Sequence, residues 1–185
     1  MLKSRMTRSI IIGLLTLILL SSLGLTGAAD QSLEGEIILL HAGSLAVPVD
    51  NLKEAFHELY PNIEVKNEAG GSNALCRQVS ELGKNVDILM SADYVVIDEL
   101  LMPDYADFNI AFAVNSLVIM YTDDSRYADE INADNWYEIL LRDGVDFGHS
   151  EPDMDPCGYR SVLLFQLAEN YYKKEGLDKA LRDAI

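Results

Sequence analysis

Between Glu36 and Met102 short apolar runs alternate with amphipathic ones, a rhythm that restricts this part of the chain to β-α-β units on a mainly parallel sheet. The run Ile37 to Leu40 is the first strand. Leu52, Ala55, Phe56, Leu59 and Tyr60 then recur on one helical face until Pro61 stops the helix. Ile63-Glu64-Val65 alternates as a second strand, Asn67 to Ser72 reads as a loop, and Leu75, Val79 and Leu82 mark a helix ended by Gly83. Val86 to Met90 is the third strand, after which Ser91-Ala92-Asp93 opens a helix containing Val95, Val96, Leu100 and Leu101.

After Pro103 the rhythm changes. Phe108 to Val114 and Ser116 to Tyr121 are two β-like runs almost back to back, of the kind that crosses from one lobe to another. Trp136 to Leu141 is expected as a short helix, Val145 to Gly148 as a further strand, and Tyr159 to Lys174 as a helix. Val162, Leu163, Phe165, Gln166, Leu167 and Tyr171 are expected to form that helix's apolar side.

The first residues belong to a different argument. Lys3, Arg5 and Arg8 precede an uncharged run from Ser9 to Ala29, and Gly27-Ala28-Ala29 offers a small-residue cleavage site. Residues 1–29 therefore read as a secretory signal peptide, or as an anchor if uncleaved, and place the protein outside the cytoplasmic membrane. Removing them takes three basic and no acidic residues, so the net charge falls from −16 to −19. So acidic a chain is not expected to bind nucleic acid, whose phosphates are held by dense Lys/Arg surfaces. Any anion it takes must be held by local dipoles and donors against the long-range field.

Three loops follow strands on the same edge of the expected sheet: Ala42-Gly43-Ser44, Gly70-Gly71-Ser72 and Ser91-Ala92-Asp93. In an open α/β sheet such loops face the ligand crevice, and the helix that each one starts contributes N–H groups and a positive dipole end. Glycine lets the backbone approach a ligand at the first two loops. Each serine equally suits an N-cap, and Asp93 is repulsive toward an anion. Asp155-Pro156 places a cap and a first-turn proline before a fourth helix N-terminus, with Arg160 either balancing charge or forming a surface pair. His41 near Ser44 has neither a G-x-S-x-G elbow nor a nameable carboxylate partner, so no catalytic residue is assigned and no enzyme activity is expected. Cys76 and Cys157 fit no metal spacing and are expected to be small buried thiols.

With those residues in view, the chain resembles the archaeal-type tungstate/molybdate-binding proteins of ABC importers, which belong to the periplasmic-binding-protein class. The resemblance spans about Ile37 to Asp178 and is carried by His41-Ala42-Gly43-Ser44, Ala69-Gly70-Gly71-Ser72, Asp87 to Tyr94, Tyr105-Ala106-Asp107, Asp134 to Leu140 and Asp155 to Ser161. It implies a type II α/β fold with a first lobe over residues 30–112 and a partial second lobe over 113–185. It implies that Gly43, Ser44 and Ser72 bind oxyanion oxygens from one lobe while Asp155, Pro156 and Cys157 approach from the other. Asp155 is similar to a direct ligand of tungsten or molybdenum, a hard high-valent centre that a carboxylate and a second, glutamate ligand raise from four- to six-coordinate. Sulfur in sulfate does not expand its shell in this way. No cofactor is implied; the partners are the oxyanion and a membrane permease, served by a monomer. Family members are about twice as long, and the segments carrying the glutamate and a binding tyrosine have no counterpart before Ile185, so a C-terminally truncated product is expected. A non-functional remnant, or a binder of sulfate or phosphate, are the alternative readings.

Overall fold

The computed structural model describes residues 32–185; the leader read over 1–29 lies outside the described residues. The chain divides into two compact units. One contains residues 32–36 and Asp50–Glu64; the other contains Ile37–Val49 and Val65–Ile185.

In the first unit the helix ends before Pro61, whose ring disfavours helical geometry at the preceding residue. Tyr60 N–H still reaches the Phe56 carbonyl at 2.8 Å, and Ile63 N–H turns back to the Tyr60 carbonyl at 3.1 Å. The Phe56 and Tyr60 rings lie 4.8 Å apart.

A three-stranded sheet is built from β1 (Gly35–Ala42), β2 (Ile63–Gly70) and β3 (Ile88–Met90) in the order β2-β1-β3. β1 pairs with β3 in parallel, Leu39 opposite Ile88 and His41 opposite Met90. As the middle strand, β1 is covered on both faces at its carboxyl end, where Leu39, Leu40, His41 and Ala42 are all buried. The edge strand β2 instead alternates half-buried and exposed residues along most of its length. It runs through Gly70, so most of the loop expected over Asn67 to Ser72 is strand.

Helices α1 (Ala46–Leu59), α2 (Ser72–Ser80) and α3 (Tyr94–Leu100) follow the three strands. A 3₁₀ turn at Gly43–Leu45 leads into α1. Cys76, Val96 and Leu101 form a buried cluster with Val79 and Leu89 packed against it. Of the face expected on α1, Phe56 and Tyr60 are half-buried, while Leu52, Ala55 and Leu59 are exposed; Val49 is the buried residue of the helix.

Three further helices follow: α4 (Trp136–Leu140), α5 (Pro156–Tyr172) and α6 (Leu177–Asp183). Tyr137, Leu140, Phe165, Ala168, Leu177 and Leu181 form their shared core. The buried stripe of α5 is Gly158, Ser161, Phe165 and Ala168, at helical spacing. Leu163, Leu167 and Tyr171, expected on the apolar side, are exposed. Gly158 sits on the inner face where neighbouring backbone comes close: a Cβ there would stand 2.2 Å from the Ser150 carbonyl oxygen.

The two β-like runs Phe108–Val114 and Ser116–Tyr121 do not form strands, nor does Val145–Gly148. Among the described residues no strand lies beside them to pair with, and an extended segment without a ladder partner gains nothing from β geometry. They are irregular and largely exposed, with Val114 fully so. Among the described residues no helix is long and apolar enough to cross a membrane.

Candidate functional site

The second unit holds an open cavity of about 480 Å³ at the carboxyl ends of the strands. One wall comes from the three sheet-edge loops, represented by Gly43, Ser44, Gly70, Gly71 and Ala92. The other comes from Asn115 and Ser116 and from the start of α5, where Asp155, Pro156, Cys157 and Arg160 stand. Segments more than 100 positions apart in the sequence thus meet at one place.

Close backbone contacts hold the two walls together. A Cβ on Gly71 would lie 2.4 Å from the Met154 carbonyl oxygen and 3.2 Å from Asp155 Cβ, so only glycine permits this approach. The Ala74 N–H at the start of α2 donates to that same Met154 carbonyl at 3.3 Å. A free N–H at a helix start therefore fixes the chain just ahead of Asp155.

Asp155 occupies the N-cap position of α5 in extended geometry, with Pro156 next to it. Its carboxylate makes no capping hydrogen bond, unlike that of Asp93, whose Oδ1 accepts from Val95 N–H at 3.1 Å. The expected positional signature is present, and its side chain is not spent on the helix. Pro156 is buried and Cys157 is exposed, so the expectation of a buried thiol fails at Cys157. Helix position explains this, since the N-terminal turn of α5 opens onto the cavity. Cys76 is buried and burial pushes its thiol up to about 11; both thiols are free.

Of the six residues expected to contact a ligand, Gly43, Ser44, Asp155, Pro156 and Cys157 line the cavity. Ser72 stands behind the wall. It is fully buried, and its Oγ accepts from Ala92 N–H at 2.9 Å, so it joins the second loop to the third. The loop serines are not N-caps: Gly71 precedes α2 as its cap, and Ser91 folds onto Asp93, donating to its carbonyl at 2.6 Å and accepting from its N–H at 3.1 Å.

Asp93 is the nearest buried charge. Tyr159 donates to its Oδ2 at 2.6 Å, and Arg160 donates to the same oxygen. Burial works to raise its pKa, yet the donors from Tyr159, Arg160 and Val95 outweigh it and hold the carboxyl below the usual range. Burial, reinforced by the Asp93 carboxylate, pushes the Tyr159 hydroxyl up to about 12. Arg160 is thus paired across 67 positions rather than on the surface of its own helix.

His41 is buried one strand position before the cavity wall. Its Nδ1 donates to the Ala42 carbonyl 2.9 Å away, which leaves Nε2 to accept from the Asn67 amide at 3.1 Å. Both ring nitrogens are committed within the fold, so His41 is not a base for Ser44.

Asn115 and Ser116 were not anticipated at the site. Asn115 donates to the Ala92 carbonyl at 3.1 Å and pins the irregular segment to the third loop. The polar Asn-Ser pair breaking two apolar runs was the available signal.

Residues 37–185 match the family model described as bacterial extracellular solute-binding protein. An uncharacterized solute-binding protein of Petrotoga mobilis is 53% identical over 153 residues, covering 83% of this chain and 48% of the relative. Molybdate/tungstate-binding proteins WtpA resemble it too. That of Pyrococcus abyssi is 47% identical over 146 residues, covering 75% of this chain and 42% of its own length. That of Thermococcus kodakarensis is 42% identical over 176 residues, covering 87% and 50% respectively. The chain spans about half the length of the curated relatives it matches. With an α/β core on a parallel strand pair and a cavity at the strands' carboxyl ends, the chain belongs to the bacterial extracellular solute-binding protein family.

Proposed function

We propose that the protein captures tungstate or molybdate outside the cytoplasmic membrane and delivers it to the permease of an ABC importer, acting as an exported monomer. The observation that carries this reading is the placement of Ser44 and the uncapped Asp155 on facing walls of one cavity. The WtpA relatives, named for molybdate and tungstate, point to the same ligands.

On this reading residues 30–112 supply one wall and 113–185 the other. Gly43 and Ser44 offer backbone and hydroxyl donors to oxo groups. Ser72 acts from behind the wall, holding Ala92 in place with its oxygen. Pro156 and Cys157 close the second wall. Asp155 supplies an oxygen donor to the metal itself, where attraction to a high-valent centre offsets repulsion from the oxo groups. That balance favours an anion whose centre accepts further ligands over sulfate or phosphate of similar shape.

Isothermal calorimetry with the 185-residue chain tests the reading. Saturable heat is expected with tungstate and molybdate, and sulfate is expected to compete only weakly. Asp155→Asn is expected to weaken tungstate binding on the order of a hundredfold, the scale at which metal-site partners act. Absence of heat from a folded sample, or equal binding of sulfate, would overturn the proposal.

A further inference from the structure

Arg160 carries the only positive charge among the residues lining the cavity, which would ordinarily make the site attractive to any small anion. That charge is answered from behind the wall. The Asp93 side chain is only 5% exposed, whereas that of Arg160 is half exposed at the rim. The carboxylate is held from two elements at once, by Val95 N–H of its own helix and by Tyr159 and Arg160 of α5. A carboxylate so buried and so well supplied with donors stays ionised, and the low position of its pKa agrees. The cavity is left with the negative charge of Asp155 and the cancelled pair Asp93–Arg160.

We infer that Asp93 is a specificity-determining residue: by pairing with Arg160 it removes the one cationic attraction in the cavity, so that anions held by charge alone are rejected. This rests on the oxyanion reading of the site and extends it to a residue that does not touch the ligand. Asp93 is a positioning residue acting through Arg160. A site without net positive charge keeps only ligands that can exchange a bond with Asp155 or fit the neutral donors of the loops. Sulfate satisfies the shape and fails on that bond. The tie also explains why a carboxylate follows the third loop at a place where it would otherwise repel the ligand.

The test is the ratio of sulfate to tungstate affinity in Asp93→Asn, measured by calorimetry on the whole chain. Asparagine retains one oxygen, for Val95 N–H, and sets its amide nitrogen in place of the Oδ2 that accepts from Tyr159 and Arg160, so the charge and that acceptor are removed together. Sulfate affinity is expected to rise about tenfold, as one newly unpaired guanidinium at a half-exposed rim allows. The double variant Asp93→Asn, Arg160→Gln is expected to return it to the starting value. Asp93→Ser, which also caps, serves as a second removal of the charge, and circular dichroism melts establish that each variant is folded. A merely structural tie would weaken sulfate and tungstate together, and that result, or unchanged sulfate binding, overturns the inference. So does a tenfold loss of tungstate affinity in Arg160→Gln with Asp93 in place, since the guanidinium would then already be spent on the ligand. If the wild-type chain takes no tungstate, the oxyanion reading fails, and the sulfate arm still decides the role of Asp93.

Discussion

Two apolar runs of this chain look alike in sequence and end in opposite surroundings. Ile37-Ile38-Leu39-Leu40 becomes the middle strand of the sheet, with Leu40 1% exposed. Leu117-Val118-Ile119-Met120 has the same character and stays irregular, with Met120 92% exposed. Composition does not separate them. What separates them is the presence of neighbours: β1 has β2 on one side and β3 on the other, and the 117–120 segment has no strand beside it among the described residues. A strand is a tertiary object whose backbone groups need a second chain segment, whereas a helix satisfies its own. The chain just before the later segment is nevertheless held locally, by Asn115 on the Ala92 carbonyl and by Asn109 on Tyr94 and Asp98.

Truncating one residue in each run is the sharpest way to break this comparison. Leu40→Ala removes a fully buried side chain from the sheet core and is expected to cost about 2–5 kcal/mol in a urea melt. Val118→Ala, at 74% exposure, is expected to lie within about 0.5 kcal/mol of the parent. Similar losses at the two positions would mean that the second run is packed in solution.

A smaller effect is expected where the two walls of the cavity touch. Gly71→Ala places a methyl group 2.4 Å from backbone oxygen, a clash that no side-chain rotation relieves. The expected cost is about 1–3 kcal/mol, with Met154 and Asp155 moved outward. Tungstate binding should fall together with stability, read by calorimetry and by thermal melts. If the variant melts like the parent and binds as well, Gly71 is not the contact that sets the cavity's width.

The Asp93 cluster should leave a pH signature. Its carboxyl is lowered in the folded chain, so its stabilising contribution is present above the unfolded value of about 4. That contribution is lost as pH falls through the lower folded value. Melting temperatures of the parent should therefore drop on acidification from pH 5 to pH 2.5 by more than those of Asp93→Asn. Parallel acid profiles would remove the ion pair from the account.

How far the residues alone foretold this arrangement follows from the same contrast. The three strand–loop–helix units were legible because each reports itself locally, through a short apolar run, small loop residues and a helical period. The cavity was legible because parallel topology sends all three loops to one edge, and because Asp155-Pro156 announces a helix start. Ser72 was readable as a loop serine, yet its oxygen turns to Ala92, a choice made by the packing of two loops 20 positions apart. The pairing of Asp93 with Arg160 and Tyr159 is likewise invisible along the chain, since it depends on where α5 lands. Leu163, Leu167 and Tyr171 misled because α5 carries large apolar residues on more than one face, and its inner stripe combines Phe165 with the small residues Gly158, Ser161 and Ala168.

The central claim is that Asp155 reaches the metal of a bound oxyanion. X-ray absorption at the tungsten edge, on the chain saturated with tungstate, tests it most directly. The account predicts a coordination number above four in the parent, falling back to four in Asp155→Asn. A four-oxygen, free-tungstate spectrum in the parent itself would contradict it.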